Sequence, residues 1–154
     1  MSKLTYSLHV AWLTLAERRR LDAFQARALR KILRIAPSYY SRVSNADVLG
    51  QAGGQKASAM LLSKQLHFMG ELARREDTDV LKRCVFEPGT LRPRACQGPR
   101  KRGRPKDRWT TSLHQEAVRA AGSIDRLMTL WQDTPAAKSA WHTTCNRHVS
   151  HTNA

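Results

Sequence analysis

The sequence predicts an all-α protein: a small irregular helical bundle of about five to six helices, interrupted by an extended basic Pro/Gly-rich linker. Three observations point there. Apolar residues recur at helical spacing in several segments, and no stretch alternates convincingly as a strand would. Ser and Thr stand ahead of those segments where N-caps belong, with Gly or Pro behind them. Between the halves, Pro88, Pro93, Pro99 and Pro105, with Gly89, Gly98 and Gly103, forbid a continuous helix. The expected division is a helical domain over 1–87 with a basic first helix, a flexible linker over 88–107 and C-terminal helices over 108–150.

Thr14-Leu15-Ala16-Glu17 reads as a capping box, with Thr at the N-cap and Glu three residues on. The helix it opens should run to about Arg34, before Pro37. At 100° per residue Leu21, Phe24, Ala28, Ile32 and Ile35 form one stripe, widened by Leu29 and Leu33 and expected to pack inward. Arg19, Arg20, Arg27, Arg30, Lys31 and Arg34 fall on the other side, within an arc of about 120°. Cations so grouped, with no acid among them, repel one another across i,i+3 and i,i+4 steps. A solvated face more often interleaves Glu. The arc therefore reads as phosphate-facing, with an ordinary exposed face as the alternative.

Pro37-Ser38-Tyr39-Tyr40 breaks the pattern. Ser44-Asn45 then supplies an N-cap for a short helix over 46–51, closed by Gly53-Gly54. A longer helix is expected from about Lys56 to Arg75, with Ala59, Leu61, Leu62, Leu66, Phe68, Met69, Leu72 and Ala73 on its core face. Residues 79–86 fit a short helix or a strand, since periodicity does not decide over so short a run. Beyond the linker, 108–121 reads as a helix with Trp109, Leu113, Ala117 and Ala120 on one face, stopped by Gly122. Ser123 caps a short helix through Trp131, and Pro135 starts a last one to about His148.

The chain has 154 residues, and 27 Lys+Arg against 12 Asp+Glu give a formal net charge of +15. That length fits one domain with tails, and that charge calls for an acidic partner to offset self-repulsion. Residues 88–108 alone carry eight basic groups against one acid, whereas 109–154 are nearly balanced. A basic tether between milder segments is how nucleic-acid arms are built; a solvated linker is the plain alternative. Cys84, Cys96 and Cys145, odd in number and widely spaced, argue against a secreted disulfide framework and for a nuclear or cytoplasmic setting. No run approaches the roughly 18 apolar residues of a membrane span. Leu4–Ala16 is mostly apolar, but Thr5, Ser7, His9 and Thr14 interrupt it.

The sharpest local motif is Lys101-Arg102-Gly103-Arg104-Pro105-Lys106, which matches the Arg-Gly-Arg-Pro core of an AT-hook. A narrow A·T minor groove concentrates negative potential that extended arginines enter, Gly103 has no Cβ to clash, and Pro105 fixes the direction. Less selective phosphate contact, or a plain linker, remains open on the same residues. Arg92, Arg94, Arg100 and Arg108 extend the basic arm.

His142, Cys145, His148 and His151 recur every three residues, but four such steps drift round a helix and match no closed zinc spacing, so no metal or other cofactor is expected. Paired carboxylates at a plausible active-site spacing, a phosphate-binding Gly-rich loop and a Gly-x-Ser-x-Gly elbow are absent from the sequence. His67 and His114 read as packing or surface residues. No catalysis, small-molecule substrate or membrane partner is expected.

Several landmarks stand in order along the chain. Lys3-Leu4-Thr5-Tyr6 and Ala11-Trp12-Leu13 precede Leu21-Asp22-Ala23-Phe24-Gln25-Ala26-Arg27 and Leu29-Arg30-Lys31-Ile32-Leu33. Ser41-Arg42-Val43-Ser44-Asn45, Val48-Leu49, Leu66, Met69-Gly70 and Ala73-Arg74 follow, then Arg102-Gly103-Arg104-Pro105, Lys106, Trp109 and Trp141. Together, over roughly residues 3–145, they resemble the C-terminal region of the polyprotein of non-LTR (LINE-type) retrotransposons, downstream of the reverse transcriptase palm. The resemblance implies a thumb-proximal piece and tail that hold RNA or DNA, with the rest of such a polyprotein as a further partner. It carries over no catalytic residue, because the Tyr-x-Asp-Asp of the polymerase is absent. The Cys-Cys-His-Cys knuckle of some relatives is missing too, and Gly70-Glu71 stands where the family often has Gly-His. The expected function is thus a non-catalytic nucleic-acid-binding module, the alternative being an inert fragment or helical scaffold.

Overall fold

The computed structural model describes residues 8–94 and 109–152. Within them the protein is all-helical. A 3-10 turn at Leu8–Val10 precedes α1 (Leu15–Ile32), α2 (Ser38–Ser41), α3 (Asn45–Gln51), α4 (Ala57–Arg74) and α5 (Val80–Val85). After the undescribed stretch come α6 (Trp109–Ala121), α7 (Ile124–Leu130) and α8 (Pro135–Thr152). These eight α-helices exceed the five to six expected. The surplus is short: α2 is one turn built where Pro37 ends the preceding pattern, and the 79–86 stretch resolves as helix over Val80–Val85, with Asp79 capping the Leu81 and Lys82 amides.

The expected caps are in place. Thr14 Oγ1 accepts from the Glu17 amide at 3.3 Å, and the Thr14 amide donates to the Glu17 carboxylate at 2.8 Å. Ser44 and Asp47 form a second capping box on α3. Each is worth about 1 kcal/mol. α4 has no such device, because its N-cap is Lys56. Its first amides are satisfied by α1: Gln25 Oε1 accepts from the Ala57 amide at 2.6 Å, and Asp22 accepts from the Ser58 amide at 2.9 Å. A carboxylate there also favours the positive end of the helix dipole. This long-range capping docks α1 onto α4.

Helix α4 is the axis of the fold, contacted by the 3-10 turn, α1, α5, α6 and α8. Leu62, Leu66, Met69, Leu72 and Ala73 meet Leu113 and Ala117 of α6, Leu127 of α7, and Trp141, Cys145 and Val149 of α8 in one core. Every residue expected on the core face of α4 is buried, except that Phe68 is only partly so. On α6 it is Ala121, not Ala120, that continues the buried stripe. Gly70 lets α8 come close, with the Trp141 ring lying where a Cβ would project. Trp141 Nε1 donates to the Leu66 carbonyl at 3.3 Å. His67 stacks on His142 with ring centroids 4.2 Å apart, and burial, then that neighbour, pushes His67 below its ordinary value.

Two expectations need correcting. The described start of the linker, 88–94, is not extended. Phe86 and Pro93 form an antiparallel bridge, the Glu87 amide donates to the Arg92 carbonyl, and the Arg94 amide donates to the Val85 carbonyl at 2.8 Å. Burial of Phe86 against Trp131 anchors this turn, which proline frequency alone did not reveal. Second, α1 is rotated relative to its apolar stripe. Phe24 and Ile32 are exposed, at 50% and 75%, while Gln25, Ala26 and Arg30 are buried. The polar capping of α4 and the contacts of Arg30 set that rotation. No helix among the described residues is long and apolar enough to cross a membrane.

Candidate nucleic-acid interface

The segment from Leu33 to Ser44 folds back beside α1, and Arg30 holds it there. Its Nη2 donates to the Val43 carbonyl at 2.6 Å and to Asn45 Oδ1 at 3.2 Å. Its Nη1 donates to the Ala36 carbonyl at 3.1 Å and to Ser41 Oγ at 3.4 Å. A planar fork of donors suits this, since one guanidinium satisfies carbonyls on both sides of a loop. Arg34 (φ 55°) and Arg42 (φ 57°) lie at the two ends of the loop in the left-handed region, which side chains other than Gly rarely occupy. Such backbone persists where surrounding contacts over-determine it, and the Arg30 bonds fall between and beside these two residues.

The fold leaves a groove of about 650 Å³ between α1 and this loop. Arg20, Arg27 and Lys31 line it with Ile35, Pro37 and Tyr39, and its lining includes no acid. All three cations are exposed, and none takes part in an ion pair among the described residues. The acids nearest in sequence are committed elsewhere. Glu17 caps α1, Asp22 caps α4, and Asp47 caps α3, its carboxyl held below the usual range by the Ser44 hydroxyl and amide. Capping at three helix starts thus explains why the cationic face stays uncompensated.

The expected six-residue arc divides. Arg20, Arg27 and Lys31 share the groove. Arg19 faces a second, smaller cleft shared with Asp22, Ala46 and Lys56. Arg34 is exposed beyond the end of α1, and Arg30 lies in the wall of the groove, 7% exposed, with its guanidinium committed to the Ala36 and Val43 carbonyls. Arg92 and Arg94 are exposed on the Val85–Arg94 turn, with Arg94 Nη1 donating to the Arg83 carbonyl at 3.0 Å. Arg100, Lys101, Arg102, Gly103, Arg104, Pro105, Lys106 and Arg108, including the AT-hook-like motif, lie outside the described residues.

The sequence reading treated Tyr39 and Tyr40 only as a break. In the fold Tyr39 lines the groove with the cations and Tyr40 lies against it, the two 70% and 74% exposed with ring centroids 4.2 Å apart. Half-exposed Phe24 sits on α1 one turn from Arg20 and Arg27. The signal available in sequence was a pair of aromatics in a loop between two helices, a position that more often serves binding than packing.

Elsewhere, no group of His, Cys, Asp or Glu among the described residues is arranged to hold a metal ion. Cys145 is buried in line with Trp141 and Val149, His148 meets Glu116 at 3.3 Å, and His142 lies against His67. Burial raises the Cys145 thiol to about 12, so it stays protonated at neutral pH. No family model matches the chain, and neither a curated protein nor a solved structure matches it.

Proposed function

We propose that this chain is a non-catalytic nucleic-acid-binding module, of the kind found in the C-terminal tail of a non-LTR retrotransposon reverse transcriptase. The outer face of α1 meets the phosphate backbone, and the basic arm over 92–108 adds further contacts. One observation carries this reading: Arg20, Arg27 and Lys31 line a single groove that has no acid in its lining and no ion pair among the described residues. An ordinary solvated face mixes signs, whereas a polyanion site collects one.

The test is fluorescence anisotropy with labelled duplex DNA, single strand and RNA over a range of salt. Each phosphate neutralised on B-DNA contributes about −0.9 to the log–log slope, so about six contacts give a slope near −5. Changing Arg102 and Arg104 to Ala should flatten the slope by about two units if the arm takes part. A slope near zero for the unaltered chain removes the proposal and leaves an inert fragment or scaffold.

A further inference from the structure

We infer that the groove between α1 and the Pro37–Ser41 turn takes a single-stranded nucleic acid, with an unstacked base on the exposed Tyr39–Tyr40 pair and its phosphates on Arg20, Arg27 and Lys31. This rests on the cationic face binding nucleic acid at all, and it names which form is bound there.

Three features select a single strand. The first is the aromatic pair. Two tyrosines exposed by more than two thirds, tilted against each other with centroids 4.2 Å apart, gain nothing from the core and leave ring faces in water. A duplex keeps its bases stacked inside and offers nothing to such rings, whereas a single strand presents a π-face at every residue. The second is the concavity. A groove of about 650 Å³, lined in part by Ala23, Ile35 and Pro37, is in the range that encloses a flat organic group. The wide convex rod of a duplex sets its phosphates against the exposed cations at the rim but brings no base into the groove. The third is the order of the groups. Tyr39 and the cations line the same groove, so one nucleotide can meet both a ring and a positive charge. Charge complementarity fixes the class of occupant, since an apolar peptide would leave three cations unanswered and an acidic peptide would leave the rings unused. Arg30, in the wall of the groove, positions the aromatic turn by holding the Ala36 and Val43 carbonyls on either side of it.

The test compares the unaltered chain with a Tyr39→Ala/Tyr40→Ala variant and a Tyr39→Phe/Tyr40→Phe variant. The probes are labelled oligothymidylate, oligouridylate and a duplex of equal length. Both positions are exposed, and far-UV circular dichroism checks that each variant keeps its helices. The alanine pair should weaken single-strand binding by at least about tenfold and leave duplex binding within about twofold, while the phenylalanine pair should stay close to the unaltered chain. Quenching of tyrosine fluorescence by the oligonucleotide should accompany binding to the unaltered chain and be lost in both variants, which lack Tyr39 and Tyr40. Equal losses on oligothymidylate and oligouridylate assign the groove to single strands of either sugar; a loss on one alone assigns it to that one. An equal loss on duplex and single strand, or none on either, overturns the inference.

The two readings fail separately. If Arg20→Ala/Arg27→Ala/Lys31→Ala flattens the salt slope but the tyrosine variants change nothing, only base stacking falls. If no oligonucleotide binds and the unaltered chain instead self-associates in sedimentation, both fall and the groove is a protein contact.

Discussion

Replacing Gly70 with Ala probes the closest approach in the fold. An Ala Cβ there would stand 2.7 Å from Trp141 Cδ1 and nearer still to Nε1, with Cε2 at 3.2 Å. The obstacle is a rigid ring with none of its surface exposed, so it does not swing away as a lysine tip would. Three contributions set the size of the effect. Ala is favoured over Gly inside a helix by about 1 kcal/mol. Overpacking a dense core costs about 3 kcal/mol at the upper end of its usual range. Displacing the ring also lengthens the 3.3 Å bond from Trp141 Nε1 to the Leu66 carbonyl, worth about 1 kcal/mol. The net destabilisation is about 2–3 kcal/mol, or roughly 5–10 °C in Tm for a chain of this size. Urea unfolding followed by far-UV circular dichroism reads it without relying on the displaced tryptophan. Gly50→Ala is the control, since its Cβ meets nothing within 4 Å and should stabilise by about 0.5–1 kcal/mol. If Gly70→Ala proved as stable as the unaltered chain, α4 and α8 would not be packed through Trp141 as described.

Further outcomes follow from the buried polar groups. Arg30→Met removes four hydrogen bonds from the Leu33–Ser44 segment and should cost about 2–3 kcal/mol in urea unfolding, whereas Arg27→Met, on the exposed face, should change stability by less than about 0.5 kcal/mol. Burial lowers His67 and His114 in the folded chain, so the unfolded chain binds more protons once the pH falls through their ordinary value near 6.5. Stability should therefore be full above that value and decline below it, and the urea midpoint of a His67→Asn/His114→Asn variant should vary less over the same interval. An alkylating agent at neutral pH should modify exposed Cys84 in the native chain and spare Cys145 until urea unfolds it, as mass spectrometry of digested samples would show.

Local signals were legible in the sequence wherever one residue type dictates one conformation. Thr14 and Ser44 marked true N-caps, Ser123 marked another, and the apolar period of α4 named nearly all of its core face. What failed was rotation and long-range contact. The apolar period of α1 put Phe24 and Ile32 inside, yet side chains reaching another helix, Gln25 and Asp22 onto α4, turned that face differently. Arg30 looked like one more surface cation because its partners lie six to fifteen residues further on, in a loop whose path no periodicity encodes. The Val85–Arg94 turn was hidden for the same reason, since burial of Phe86 depends on Trp131 of α7. Of the cationic arc, Arg20, Arg27, Arg30 and Lys31 line one groove, and Tyr39, with Tyr40 next to it, joins them only through the path of the loop that carries α2.

The most direct measurement is the salt dependence of duplex DNA binding by the unaltered chain and by Arg20→Ala/Arg27→Ala/Lys31→Ala. With about 0.9 units per phosphate, loss of these three groove contacts should make the slope less negative by about 2–3 units while the helices remain intact. Two coincident slopes would mean that α1 does not touch the backbone.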